Sequence, residues 1–380
     1  MKRTLIALIP LFSLALACGA HGASVPVPAP PKLDARSYVL IDHHSGRVLA
    51  ERSPDERLEP ASITKLMTAY AVFDAIRAGK LKLDDAVTIS ERAWRAEGSR
   101  TFLEVGKQVP VEVLIQGMIV QSGNDATIAL AERVGGTEET FASLMNEYAK
   151  RLGMTNSHFE NSSGLPSPTH YMSARDIATL SSAIVREFPA YYRWYSQREF
   201  TWNNIRQENR NGLLDRDPSV DGIKTGFTET AGYCLVTSAK RDDMRLISVV
   251  LGTPSEKARE TSSQALLNYG FSFFETRKLH DAGTSLQQVE VWKAAESPVD
   301  AGLRHPLHVT VPRGELGAVK SVITVEPKLI APLATTAKVA ELRVQLGDEL
   351  LATRPLHPLK AVAEGGLWTR IIDSVLLWFE

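Results

Sequence analysis

The spacing of the apolar residues changes period along this chain, and the order of those changes restricts the fold more than any single motif. Short β-type runs at 38–42 and 47–51, separated by His43-His44-Ser45-Gly46, read as a hairpin in which Gly46 supplies positive φ. Helical spacing takes over from Leu66 to Ala78, where Pro60 precedes and Gly79 closes the helix, and recurs at about 111–120, 125–134, 137–152 and 173–185. Past Arg210-Asn211-Gly212, strand-like runs return at 222–228, 233–239 and 245–251, and a helix follows over 255–269. Two β-type ends around a helical middle predict an α+β domain, with an antiparallel five-stranded sheet built from both ends and the helical region inserted between them.

From about Gln288 the pattern changes again. Alternating runs at 289–292, 308–311, 322–325 and 341–346, set between Pro and Gly turns, predict a small all-β sandwich, with no cluster of chemical residues in it. It reads as a spacer or interaction module. Beyond Gly365-Gly366, the residues Leu367, Trp368, Ile371, Ile372, Val375, Leu376, Trp378 and Phe379 recur at helical spacing. A helix packed on the sandwich is one reading. Two tryptophans and a phenylalanine at the end of the chain favour the other, an amphipathic helix lying in a membrane surface and too short to span it.

The first residues concern export. Lys2 and Arg3, an apolar run from Leu5 to Ala17 and the small residues that follow form a secretory signal peptide, and 24–31, Ser-Val-Pro-Val-Pro-Ala-Pro-Pro, forms an extended spacer. The expected organisation is a signal peptide at 1–22, a spacer at 23–34, a catalytic domain at 35–287, a β-sandwich at 288–363 and a membrane-associating helix at 364–380. Cleavage would remove Cys18 and leave Cys234 without a partner, so the core must hold without a disulfide. Lipidation of Cys18 is the other possibility, but Ala15 stands where a lipobox usually has leucine. Cys234 lies in a strand pattern and reads as a small core residue. A formal net charge of -1 with no long basic run gives nucleic acid no electrostatic footprint. His43 and His44 lack a further cluster at ligand spacing and read as turn residues, not as a metal site.

The candidate chemistry begins at Ser62-Ile63-Thr64-Lys65. Residues i and i+3 share a helix face, so a hydroxyl can meet an amine there without help from distant chain. Alone, the pair reads as an N-cap serine with a solvated lysine one turn on. Two further motifs alter that reading: Ser122-Gly123-Asn124 at a helical corner, and Lys224-Thr225-Gly226 on a strand.

Three motifs of this kind, in this order, resemble those of the serine penicillin-binding proteins and β-lactamases, S-x-x-K, S-x-N and K-T-G. Within that group the sequence is most similar to the low-molecular-mass D-alanyl-D-alanine carboxypeptidases, and the likeness covers nearly the whole mature chain. The resemblance implies a penicillin-binding, transpeptidase-like fold and a serine peptidase that trims peptidoglycan stem peptides and is acylated by β-lactams, its covalent inhibitors. It implies Ser62 as nucleophile, Lys65 as the base and Ser122 as proton relay, and it needs no metal or cofactor. Asn124 would hold a substrate carbonyl, and Lys224 and Thr225 the terminal carboxylate with help from Arg259. Backbone N–H groups of Ser62 and of Phe227, just past Gly226, would form the oxyanion hole. A second ammonium, Lys224, together with partial burial, is expected to depress the pKa of Lys65. Arg210 stands between substrate contact and a structural ion pair. Phe227 occupies a position where some relatives carry histidine, so any side-chain hydrogen bond there is lost. A D,D-endopeptidase using the same residues, or a penicillin-binding protein with a mainly non-catalytic cell-wall role, are the alternatives. The expected location is the periplasmic face of the inner membrane, by peripheral attachment.

Overall fold

The computed structural model describes residues 26–379, so the signal peptide and Cys18 lie outside the described residues. Strands β1 (Ser37–Asp42) and β2 (Val48–Arg52) form the expected hairpin. After the helical region come β3 (Val220–Thr228), β4 (Gly232–Arg241) and β5 (Met244–Thr253), giving one antiparallel five-stranded sheet in the order β2-β1-β5-β4-β3. Successive side chains leave a strand on opposite faces. Val39, Val236 and Val249 accordingly enter the core shared with the helical region, whereas Leu40, Leu235 and Val250 enter a second core on the other side. Cover on both faces is why the central strands read as nearly unbroken apolar runs.

On the first face lies α1 (Lys65–Arg77), in which Leu66, Met67, Ala69, Tyr70, Val72 and Phe73 are all buried. A helix apolar on so many sides belongs inside a domain, as its sequence predicts. Gly79, at φ +72°, follows its C-cap in the left-handed region where glycine is least strained. Helices α2 (Asn124–Gly135), α3 (Glu138–Arg151) and α4 (Ala174–Glu187) surround it. The helix expected at 111–120 is α-helical only over Val111–Gln116 and continues as a wider π-turn, Gly117–Gln121, that ends at Ser122. Helix α5 (Glu256–Phe273) covers the opposite face with Leu266, Leu267 and Phe271, and Cys234 is buried in the helical-side core as a free thiol.

The β domain starts earlier than its alternation suggests. Strand β6 (Phe274–His280), assigned from sequence to the catalytic domain ending at 287, pairs instead with β9 (Leu307–Pro312). Its hydrogen bonds therefore move the boundary back to the end of α5. Strands β7 (Ser285–Val289), β8 (Val299–Gly302), β10 (Val319–Val325), β11 (Ala340–Leu346) and β12 (Glu349–Pro358) form a second five-stranded sheet in the order β7-β8-β12-β11-β10. A core that includes Val289, Val309, Leu342, Val344 and Leu356 holds this domain together.

One buried carboxylate organises the seam between the domains. Asp42 accepts from the Ser45 N–H (2.7 Å) and from the Thr276 hydroxyl (2.8 Å), and Thr310 meets both Ser45 (2.6 Å) and Thr276 (2.8 Å). Arg47 donates to the Thr310 carbonyl (2.7 Å) and pairs with Glu349 (2.7 Å). The two histidines are turn residues as expected, with His44 stacked on His308 across the seam at 4.7 Å. Among the described residues no His/Cys/Asp/Glu group has the arrangement of a metal site.

Helix α6 (Leu367–Leu376) is not packed on the sandwich through its apolar side. Trp368 is 77% exposed and every other apolar residue named for this stretch is also exposed. Its links to the body are polar: Asp373 accepts from the Lys293 N–H (2.5 Å), and Arg370 pairs with Glu364 (3.0 Å). No helix among the described residues is long and apolar enough to cross a membrane.

Candidate active site

Ser62 sits in a short 3-10 turn, Ala61–Thr64, that leads into α1. Ala61 has φ +48°, a strained value for a residue with a side chain, and strain of this kind gathers at sites whose surroundings over-determine the backbone. Edge strand β3 lies against the turn. A Cβ on Gly226 would stand 3.0 Å from the Pro60 carbonyl oxygen and 3.3 Å from the Ala61 Cβ, so glycine is what allows the strand this close to the serine.

Lys65 is 2% exposed and donates to Ser62 Oγ (2.9 Å) and to the main-chain carbonyl of Ser163 (2.8 Å). Burial, and then the Arg210 guanidinium, lower its pKa from the usual lysine value to about 7, against the opposing pull of the Asp125 and Glu138 carboxylates. Lys224 is also buried and donates to the Thr225 carbonyl (2.9 Å); burial, then the Lys65 ammonium, Arg210 and Arg259 hold it well below its ordinary value. Of the two causes expected for Lys65, burial is the larger; its repulsion with Lys224 is present as well, and Arg210 adds a cation that the sequence did not mark. The ion pair considered for Arg210 is absent among the described residues, and its side chain lines the cleft.

Ser122 takes the left-handed conformation, φ +65°, and its buried hydroxyl has no partner within the protein. Asn124 heads α2; its Nδ2 donates to the Glu97 carbonyl (2.6 Å), leaving one amide hydrogen uncommitted, and its Oδ1 is buried without a donor. Asp125 receives the Thr101 N–H (2.8 Å) and the Leu103 N–H (3.1 Å), which fastens the 97–103 segment over the head of α2. Arg259, in the first turn of α5, makes only long contacts, 3.3 Å to Glu256 and 3.4 Å to the Arg210 carbonyl, while its buried Nε has no acceptor. Ser62, Ser122, Asn124, Thr225, Phe227 and Arg259 together line one cleft of about 430 Å³, and Lys65 and Lys224 stand just behind its wall.

The three motifs therefore converge, but sequence reasoning missed what anchors the amine. Ser163 belongs to Asn161-Ser162-Ser163-Gly164, where Asn161 Oδ1 accepts from the Gly164 N–H (2.7 Å). Ser162 donates through its N–H (3.0 Å) and hydroxyl (2.6 Å) to buried Glu138, and its carbonyl accepts from Thr68 of α1 (2.6 Å). An Asn-x-x-Gly turn signal was legible there, but nothing in the sequence linked it to Lys65.

A hydroxyl beside a buried amine, unpaired polar groups and a cationic far wall define a site for acyl transfer through serine, directed at a carboxylate-bearing acyl donor. Comparison with known proteins carries this further. The family profile of the D-alanyl-D-alanine carboxypeptidases, peptidase S11, matches residues 24–255, and that of the penicillin-binding protein 5 C-terminal domain matches residues 274–364. The D-alanyl-D-alanine carboxypeptidase DacC of Escherichia coli K12 is 45% identical over 358 residues, covering 92% of this chain and 90% of the relative. Penicillin-binding protein 5 of Haemophilus influenzae superposes with a TM-score of 0.84 at 41% identity, over 89% of this chain and 100% of that one. Penicillin-binding protein D2 of Listeria monocytogenes, solved in an ampicillin-bound form, matches 64% of this chain and 100% of its own at 29% identity and a TM-score of 0.60. The chain belongs to the D-alanyl-D-alanine carboxypeptidases, serine peptidases of family S11.

Proposed function

We propose that this chain removes the terminal D-alanine from peptidoglycan stem pentapeptides through an acyl-enzyme on Ser62. The observation that supports this best is the buried Lys65 amine 2.9 Å from the Ser62 hydroxyl. With a pKa near 7 the amine is substantially neutral at neutral pH and can take the serine proton. Ser62 Oγ attacks the carbonyl of the penultimate D-alanine, and the N–H groups of Ser62 and Phe227 receive the negative charge that develops on its oxygen. Ser122 passes the proton to the leaving nitrogen, the C–N bond breaks, and D-alanine departs. Water then opens the ester by the reverse proton path. Asn124, with its remaining amide hydrogen, holds a backbone carbonyl of the substrate, and Lys224, Thr225 and Arg259 hold the terminal carboxylate. The free outer edge of β3, beside Gly226, receives the extended peptide as an added strand.

A penicillin presents the same carboxylate and a strained amide whose nitrogen stays tethered after ring opening, so the acyl-enzyme persists. Mass spectrometry of the penicillin-treated protein is expected to show one adduct on the Ser62 peptide and none in Ser62→Ala; covalent labelling of that variant would refute the scheme. Release of free D-alanine from pentapeptide monomers before any crosslinked dimer is cut is the result expected of a carboxypeptidase, and the reverse order would make the chain an endopeptidase.

The proposed location is the periplasmic face of the inner membrane, with α6 as the attachment. Its apolar residues face outward and carry two tryptophans, while Asp373 and Arg370 turn toward the body. With one basic residue in the helix, burial of apolar surface supplies the affinity. A chain ending at Gly365 is expected to move from the membrane fraction to the soluble one with activity on a small peptide retained. An unchanged distribution would remove α6 as the anchor.

A further inference from the structure

Phe227 is the one large apolar side chain of β3 left open to the cleft, 45% exposed beside motif residues that are nearly all buried. It lies directly opposite Tyr233 in the β3–β4 register, and the two rings meet at 4.3 Å between centroids, tilted by 33°. Tyr233 lines the same cleft, and the Arg259 guanidinium lies 5.6 Å from the centre of its ring. Along a strand, residues i and i+2 share a face, so Phe227 stands on the side of Thr225. Two of the three groups assigned above to the terminal carboxylate, Thr225 and Arg259, therefore flank a continuous aromatic ledge.

A terminal D-residue carries its carboxylate and its side chain on the same Cα. Once Thr225 and Arg259 fix the carboxylate, the side chain has little freedom left and is delivered to the ledge. The methyl of D-alanine is too small to cover a phenyl ring. An exposed aromatic surface that its supposed ligand leaves wet is a surface suited to something larger. Glu256, which also lines the cleft and contacts Arg259 at 3.3 Å, opposes an acidic side chain in the same place.

We infer that the Phe227–Tyr233 ledge is a leaving-group subsite for apolar side chains, so that the enzyme releases larger apolar D-amino acids, D-phenylalanine among them, as readily as D-alanine. The inference rests on the carboxypeptidase reading and specifies its substrate class. The chemistry is unaltered: the amide bond breaks, Ser122 protonates the departing nitrogen, water later supplies the hydroxyl of the new carboxylate, and only the identity of the free D-amino acid differs.

The test compares two N-acylated peptides, identical up to the penultimate D-alanine and ending in D-Ala or D-Phe, on the full chain and on Phe227→Ser and Tyr233→Leu. Both peptides yield the same acyl-enzyme, so deacylation is common to them and the ledge is read in the ratio of their kcat/KM values. A ratio also cancels any loss of correctly folded protein in a variant. The wild-type chain is expected to process the D-Phe peptide at least as well as the D-Ala peptide. Phe227→Ser is expected to lower the D-Phe to D-Ala ratio by about tenfold, the size of a lost ring–ring contact with its apolar burial, and Tyr233→Leu by about threefold. Release of D-alanine without release of D-phenylalanine, or a ratio that Phe227→Ser leaves unchanged, would overturn the subsite while leaving the carboxypeptidase intact. Failure to release either amino acid would overturn the carboxypeptidase reading and the subsite with it.

Discussion

Lys65→Ala is expected to slow acylation of Ser62 by about 10³-fold, within the 10² to 10⁴ typical of a positioned general base. The argument is geometric first. Among the described residues the amine at 2.9 Å is the hydrogen-bond partner of the serine hydroxyl, and its own position is fixed by the Ser163 carbonyl behind it. Loss of activity through unfolding is not the expected route. A lysine depressed from its usual value to about 7 is one whose charged form the fold disfavours. Below pH 7 it is charged in both states and the folded protein carries the full cost. Between pH 7 and the unfolded value, the folded state binds fewer protons and that cost is progressively relieved. Truncation removes this cost, although it leaves a small void and an unpaired carbonyl. Acylation by penicillin in the wild-type chain should correspondingly rise with pH through about 7 and then level off, since only the neutral amine accepts a proton. A rate flat from pH 5.5 to 8.5, or a Lys65→Ala variant within tenfold of wild type, would remove Lys65 from that role.

Gly164→Ala is expected to be the most damaging substitution outside the three motifs. The residue has φ +86°, and an added Cβ would fall inside the van der Waals radius of the Ala61 carbonyl oxygen, with Thr64 Oγ1 at 2.7 Å. Neither neighbour can retreat, because Ala61 opens the strained turn that carries Ser62. Gly79→Ala separates the two causes, since Gly79 has φ +72° but a Cβ added there would meet nothing within 4 Å. The control should cost about 1 kcal/mol, the price of left-handed backbone alone. Gly164→Ala should cost about 3 kcal/mol or more, or roughly 6 °C or more in Tm, and should slow acylation by displacing the Ser163 carbonyl from Lys65. Equal Tm losses in the two variants would mean that the loop yields freely and does not hold the amine.

The sequence disclosed what depends on period and on motif. The sheet was legible because β1, β4 and β5 are buried on both faces, and α1 because its apolar residues surround it. The catalytic candidates were legible because each type is tied to its chemistry. What stayed hidden depends on long-range pairing. Strand β6 reads like the end of the catalytic domain until its partner, β9, is known. Ser163 acts through a main-chain carbonyl, and every residue has one, so its identity carries no signal. Arg210 acts on Lys65 through space, with no local pattern to mark it. The tail was legible as amphipathic, but only its exposed face separates a surface-seeking helix from one packed on the sandwich.

The seam around Asp42 bears on how the cleft is aimed. A joint between domains that is greasy and loosely fitted can swivel at little cost, but this one holds a carboxylate with no exposure whatever, bonded from both sides. Swivelling here would strand that charge, so the β domain transmits angle as well as distance. A tail resting on a surface would thereby set the compass bearing of the active site, and which strands of a layered polymer come within its reach.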